Sequence, residues 1–345
     1  MKKWISLLLV LALSLGCVSF AAAEETRTFT DSTGRTVEVP AEITRIAISG
    51  PMTQIIVFAL APDKLVGISS SWDPEAKPFI SEEAYNLPLL GQLYGGKGEM
   101  NLEELLASDA QVVIDIGESK GSVKEDMDSL SEQTGIPFVH IDANLSTFSD
   151  AYEMLGELLG MEEEAAVLAD YCRSVFDRAH DIAAKAEKKN LLYITGAEGH
   201  NVIAANSYHS EVIDLLSNNL AVVDSPSSKG TGNEVDMEQI LNWNPDFVIF
   251  APGSIYATVT EDEAWSSVTA IANGNYIEVP NGPYNWMGFP PSVQRLLGVI
   301  WMAKALYPET ADYDLYTEIA QYFDLFYHCE LTQEAFDALV ANSLL

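Results

Sequence analysis

Two periodicities take turns along this chain. Short β-rich runs stand at Arg45–Ser49, Lys64–Ser69, Gln111–Ile116 and Pro137–Ile141, and again at Asn190–Thr195, Leu220–Val223, Phe247–Ala251 and Tyr276–Val279. Between them apolar residues recur at helical spacing, as over Thr53–Leu60 and Asn101–Ser108. Strands alternating with helices predict an α/β fold whose mostly parallel sheets are covered on both faces, and here the pattern runs through twice. Ahead of it, Thr28–Pro40 holds two alternating runs around a turn, which predicts a β-hairpin.

The two halves are joined by one long helical pattern, roughly Glu162 to Lys188. Leu168, Tyr171, Cys172, Val175, Phe176, Ala179, Ile182, Ala183 and Ala186 follow three- and four-residue steps, so they share one face. No Gly or Pro interrupts it. At 1.5 Å per residue it would reach ~40 Å, enough to cross a whole molecule. The expected organisation is a leader at 1–23, an N-terminal α/β lobe at 24–160, a bridging helix at 161–189 and a C-terminal α/β lobe at 190–345. Lobes joined by a rigid helix, with no Gly/Ser linker between them, should open and close little.

The leader changes the picture of where the chain works. Lys2 and Lys3 precede an apolar run from Trp4 to Leu15, and Ala21-Ala22-Ala23 stands before Glu24. This predicts an exported protein. Cleavage after Ala23 and lipidation at Cys17, within Ser14-Leu15-Gly16-Cys17, both remain open. No later stretch approaches the ~20 apolar residues of a membrane span. Hydrophobic content of 48% is ample for real cores, and the net charge of −33 excludes nucleic acid as a natural partner. Cys172 on an apolar helix face reads as a buried free thiol.

Candidate chemistry is sparse. Gly117-Glu-Ser119-Lys-Gly121 is a G-x-S-x-G after a strand and before a helix pattern, the context of a nucleophile elbow. It raises a secreted serine hydrolase as the alternative from a different class. Ser119 would attack, His200 or His209 would be the base, and Asp142 or Asp224 would orient it. His140, His180, His200, His209 and His328 form no spacing typical of a metal site. His140 ends a strand and reads as structural. Arg295, one of six arginines, could meet an acidic ligand or pair within its own half. Gly50-Pro51-Met52-Thr53-Gln54 opens a helix, and Tyr94-Gly-Gly-Lys97-Gly precedes another; either loop could turn backbone N–H groups toward an anion. The stretch Tyr284-Asn-Trp286-Met287-Gly-Phe289 concentrates aromatic surface just before an apolar helix pattern.

Thr30–Pro40 followed by Arg45-Ile-Ala-Ile-Ser49 resembles the opening of the class III periplasmic binding proteins of ABC importers, which carry ferric siderophores, haem, vitamin B12 or molybdate. Met100–Leu106, Val235–Asp246 and Pro290–Gly298 match further segments of that family, in order, over nearly the whole chain. The resemblance implies a non-enzymatic monomer with no cofactor, two lobes bridged by a helix, and a ligand held between them. An iron complex is the expected cargo, with molybdate, tungstate or cobalamin as alternatives. Met52, Thr53, Gln54, Tyr94, Lys97, His209, Lys229 and Arg295 would line the cleft. Tyr284, Trp286 and Phe289 would either wall it or plug their own lobe's core. Glu103 and Glu238, at matching places in the two lobes, would meet arginines of the permease, which is driven by its ATPase.

Overall fold

The computed structural model describes residues 25–94 and 99–344. The expected leader and Cys17 lie outside them, as does Lys97. Strands β1 (Thr26–Thr30) and β2 (Thr36–Pro40) form the expected antiparallel hairpin. Next come β3 (Ile46–Ile48), β4 (Val112–Gly117) and β5 (Phe138–Asp142), an all-parallel sheet in the order β3-β4-β5. The second half holds β6 (Asn190–Thr195), β7 (Asn201–Val202), β8 (Asn218–Asn219), β9 (Asn233–Glu234), β10 (Phe247–Phe250) and β11 (Tyr276–Glu278). Its sheet runs β11-β10-β6-β7-β9, parallel at the β11-β10-β6 centre and antiparallel where β7 and β9 join; β8 pairs with β6.

The parallel strands β3, β4, β5, β6 and β10 are buried on both faces, which is why they read as near-continuous apolar runs. In β4, Val112, Ile114 and Ile116 face one core while Val113 faces another. In β10, Phe247 and Ile249 face that same first core, and Val248 and Phe250 the far side. The shared core is continuous from one lobe to the other. The bridging helix, Glu162–Lys185, runs along it with Leu168, Tyr171, Cys172, Val175, Ala179 and Ile182 buried. It ends three residues before the expected Lys188, at an extended Ala186.

Two expected strands differ. Lys64–Ser69 begins in a 3-10 turn, Pro62–Lys64, and makes only single bridges, Leu65 to Ile46 and Ile68 to Leu89. Pro62 and the tight fit of Gly67 against Leu90 hold this run as a connection along the sheet edge. Leu220–Val223 stays irregular because β6 takes its partner two residues earlier, at Asn218–Asn219, leaving Val222 exposed.

Aromatic packing ties the lobes together away from the strand ends. The C-terminal π-helical turn Phe323–Tyr327 folds back onto the first lobe. Phe323 meets Phe79 edge-on at 4.9 Å, and Tyr327 lies 6.3 Å from Phe58. Tyr284 approaches Trp72 at 6.2 Å. Arg178 on the bridging helix pairs with Glu318 through both nitrogens, at 2.8 and 2.5 Å. With a shared core and these contacts, the lobes have little freedom to swing apart.

Candidate functional site

Where the first lobe's strands end, the two lobes come into contact, and their facing surfaces form the walls of the candidate site. On the first-lobe wall, helix Pro51–Leu60 starts directly after β3; Gly50 at its N-cap supplies no side-chain acceptor, and Pro51 suits the first turn. Gly117 ends β4 with its backbone against Met52; a Cβ there would lie 3.3 Å from the Met52 sulfur. Met52 Sδ in turn sits 3.5 Å from the Tyr208 hydroxyl of the second lobe. Tyr208 also donates to the Ala143 carbonyl at 2.6 Å, and Glu211 accepts from the Leu145 amide at 2.9 Å. Burial pushes the Tyr208 hydroxyl up to about 12, so it stays a donor at neutral pH. The walls therefore touch along Met52, Tyr208 and the segment Ala143–Leu145.

Thr53 and Gln54 are buried and work within their own lobe. Thr53 Oγ1 accepts from the Ile116 amide at 2.8 Å, fastening the helix to β4. Gln54 Oε1 accepts from the Ser69 amide at 3.0 Å. Both lie behind the wall because helical spacing turns them toward the sheet, while Met52 faces the gap. Tyr94 donates to Asp126 at 2.7 Å within the same lobe.

A polar chain crosses this wall. Ser49 Oγ donates to Asp115, whose other oxygen meets His140 Nδ1 at 2.6 Å. His140 Nε2 lies 3.1 Å from both Ser119 Oγ and Asp142 Oδ1. Burial alone would push His140 down, but hydrogen bonds and charge from Asp115 and Asp142 outweigh it and raise its pKa. This corrects the hydrolase alternative. The histidine beside Ser119 is His140, not His200 or His209. The two carboxylates favour its protonated form, which has no lone pair to take the serine proton, and Ser119 donates to Asp142 at 2.5 Å instead. Neighbouring strands bring the three residues together; sequence distance hides them.

The second-lobe wall is built differently. Arg295 is fully enclosed at the start of helix Arg295–Leu306. Its Nη1 donates to the Tyr208 carbonyl at 2.8 Å and pairs with Glu211 at 2.6 Å, while its plane stacks on Tyr208 and Phe148 at 4.7 and 5.4 Å. Of its two expected roles, pairing within the lobe is the one seen. Glu211 thus links Arg295 to the other lobe's Leu145. His209 is buried, with Nδ1 3.0 Å from the Gly288 carbonyl; burial first, and the Arg295 charge after it, lower its pKa, so it is neutral. Lys229 is exposed in the loop beside it.

The aromatic stretch divides. Trp286 has no exposed surface, and its Nε1 donates to the Gly282 carbonyl at 2.8 Å. Gly298 of the following helix lies so close that a Cβ would sit 2.4 Å from the Trp286 carbonyl. The wall expectation fails for Trp286: it is a core plug, clamped where helix and loop backbones meet. Tyr284 is also buried, against Trp72. Phe289 alone stands out, 60% exposed, its ring resting on Gly230 near His209. Glu103 and Glu238 are both exposed, each in the first turn of its helix. Among the described residues, no group of three His, Cys, Asp or Glu is arranged to hold a metal ion, and no helix is long and apolar enough to cross a membrane.

The family model for periplasmic binding proteins matches residues 46–283, over two thirds of the chain. The molybdate-binding protein MolA of Haemophilus influenzae is 23% identical over 353 residues, covering 92% of this chain and 95% of that one. An ABC transporter solute binding protein from Sulfurospirillum deleyianum superposes with a TM-score of 0.83 at 27% identity, covering 91% of this chain and 99% of its own. The petrobactin-binding protein YclQ of Bacillus subtilis shares the fold, with a TM-score of 0.60 at 17% identity over 84% of this chain and all of its own. The chain belongs to the periplasmic binding proteins: a solute-binding component of an ABC importer, which delivers a small ligand to a permease and is not an enzyme.

Proposed function

We propose that the cleft captures a small oxyanion of the molybdate or tungstate class. The observation that carries this reading is the contact between the walls, with Met52 Sδ 3.5 Å from the Tyr208 hydroxyl. A bulky chelate needs walls that stand apart, and the shared core and bridging helix resist such opening. A tetrahedral anion needs only a small polar chamber. The helix start at Gly50–Met52 suits it, since N-terminal amides and the helix dipole favour negative charge. The carboxylates nearby are matched by cations: Glu118 by Lys120 at 3.2 Å and Asp142 by His140 at 3.1 Å. Met52, Tyr94, Lys97, His209, Lys229 and Phe289 are then the ligand-side groups, with Thr53, Gln54 and Arg295 holding them from behind. The molybdate-binding relative supports the same class.

An iron complex is the second reading, and Phe289 favours it: an exposed ring beside a neutral histidine suits a flat or apolar ligand. Calorimetric titration with molybdate, tungstate, sulfate, haem and a ferric catecholate separates the two. Saturable heat with molybdate and tungstate is expected. Binding of haem or the ferric catecholate alone would sink the oxyanion reading. In either case the lobes at 24–160 and 190–345 are held by the 161–189 bridge, Glu103 and Glu238 meet permease arginines, and residues 1–23 direct export, through cleavage after Ala23 or lipidation at Cys17.

A further inference from the structure

The two lobes repeat one short unit to the residue. In the first, Asn101 caps helix Leu102–Ala107, Asp109 turns left-handed at φ 57°, and β4 follows. In the second, Asp236 caps helix Met237–Trp243, Asn244 turns left-handed at φ 43°, and β10 follows. Asn101 accepts from the Glu104 amide and Asp236 from the Gln239 amide, the same helical position. The amide at the strand entrance, Gln111 or Asp246, donates to the neighbouring chain at Arg45 or Asn190, both at 2.9 Å. From Asn101 to Ala110 and from Asp236 to Pro245, the order of exposed, half-buried and buried residues is the same at every position.

Within this matched frame the side chains diverge. Leu102 faces Met237, Glu104 faces Gln239, Leu105 faces Ile240, Ala107 faces Asn242 and Ser108 faces Trp243 in the alignment. Two positions are identical: Glu103 with Glu238, and Leu106 with Leu241. Both are on the outside. Leu106 is 53% and Leu241 40% exposed, while the core contact of each helix is made by Leu105 or Ile240. Folding therefore explains Leu105 and Ile240 and leaves the repeated outer leucines without an internal role. Glu and Leu three apart lie on one helix face.

We propose that each lobe docks on the permease through a carboxylate and a leucine one turn apart, Glu103 with Leu106 and Glu238 with Leu241. The partner surface that fits is a cationic side chain beside an apolar socket, presented twice. This rests on the docking role given above to the two glutamates and adds the apolar half of the contact. The charge supplies orientation; the leucine supplies the area removed from water.

The test compares two double variants of the full chain against the cognate permease–ATPase complex in lipid nanodiscs, by biolayer interferometry, with no cargo added. Leu106→Ser with Leu241→Ser should raise Kd by ~10-fold or more, as for loss of paired interface anchors. Its unfolding midpoint should match the wild type, because both side chains are exposed. Glu103→Ala with Glu238→Ala tests the glutamates separately. If the glutamate variant loses binding and the leucine variant stays within twofold of wild type, the leucine inference is overturned and the glutamate docking stands. If both bind like wild type, both fall. Loss in the leucine variant alone sustains the apolar contact and removes the carboxylates from docking.

Discussion

Each wall of the candidate site buries a histidine, and the two are treated in opposite ways. On the first lobe, His140 lies between Asp115 and Asp142 and is held charged. On the second, His209 is enclosed beside the Arg295 guanidinium, faces a backbone carbonyl in place of a carboxylate, and has its neutral form favoured. The first wall is a chain of polar side chains running through β4 and β5; the second packs Arg295 against Tyr208, with Phe148 of the first lobe against the same guanidinium. The first surface offers hydroxyl and amide donors, the second aromatic and imidazole surface. The difference teaches that the repeat between the lobes holds on the outer helices that open at Asn101 and Asp236 and breaks down where the two lobes face each other.

The largest expected effect lies beneath the second wall. Trp286→Ala removes a fully enclosed ring and its hydrogen bond, and should lower unfolding free energy by ~3–5 kcal/mol. Phe289→Ala, three residues on, should change stability by no more than ~0.5 kcal/mol, since its ring is mostly in water. Urea unfolding of the two variants measures both. Equal losses would show that the loop packs as one piece and that the second wall is not a plug with a single exposed ring.

Much of this was legible in the sequence. The sheet pattern, the hairpin and the bridging helix follow from apolar periodicity, because those segments are buried by their own local spacing. Glu103 and Glu238 stand out because each opens a helix in a matched place. The site resisted reading where burial depends on tertiary approach. Nothing local distinguishes Trp286 from Phe289; the first is closed in by the helix backbone at Gly298, while the second rests on the Gly230 loop with its other side in water. His140 could not be joined to Ser119 and Asp115 without knowing that β4 and β5 are neighbours. Tyr208 and Glu211 went unnoticed, although a Tyr-His-Ser-Glu run opening a helix after a short strand in the second half was a usable clue.

A smaller effect is expected on the first wall. Asp115→Asn leaves His140 with one carboxylate partner and replaces one of the two acceptor oxygens by an NH2 donor, so Ser49 and His140 cannot both be served. The cost should be ~1–3 kcal/mol near pH 6, the range for a charged hydrogen bond lost in a buried site. The loop at Gly117–Gly121 is pinned through Ser119, so its backbone amides should also exchange faster in hydrogen-exchange measurements. Unchanged stability together with unchanged exchange would show that Asp142 alone suffices for His140.

The smallest effect bears most directly on the comparison, because it gives the two walls opposite signs. Both histidines start from an ordinary value of 6.5. His140 is raised in the folded protein by Asp115 and Asp142, with the Ser119 hydroxyl also against its ring. Its stabilising contribution is therefore fully present below pH 6.5 and is lost as pH rises through the folded value. His209, facing Gly288, Ser228, Arg295 and, farther off, Glu118, is lowered. There the unfolded state gains the proton first, so the penalty grows as pH falls below 6.5 toward the folded value. His140→Gln and His209→Gln, each compared with wild type from pH 5 to 8, should differ in slope: the first gap closes as pH rises above 6.5, whereas the second widens as pH rises toward 6.5 and is flat above it. Proton NMR of the ring Cε1–H signals provides the direct check, with one midpoint above 6.5 and the other below. A common midpoint for the two rings would mean that the walls are electrostatically alike, and the polar–packed contrast between the lobes would have to be abandoned.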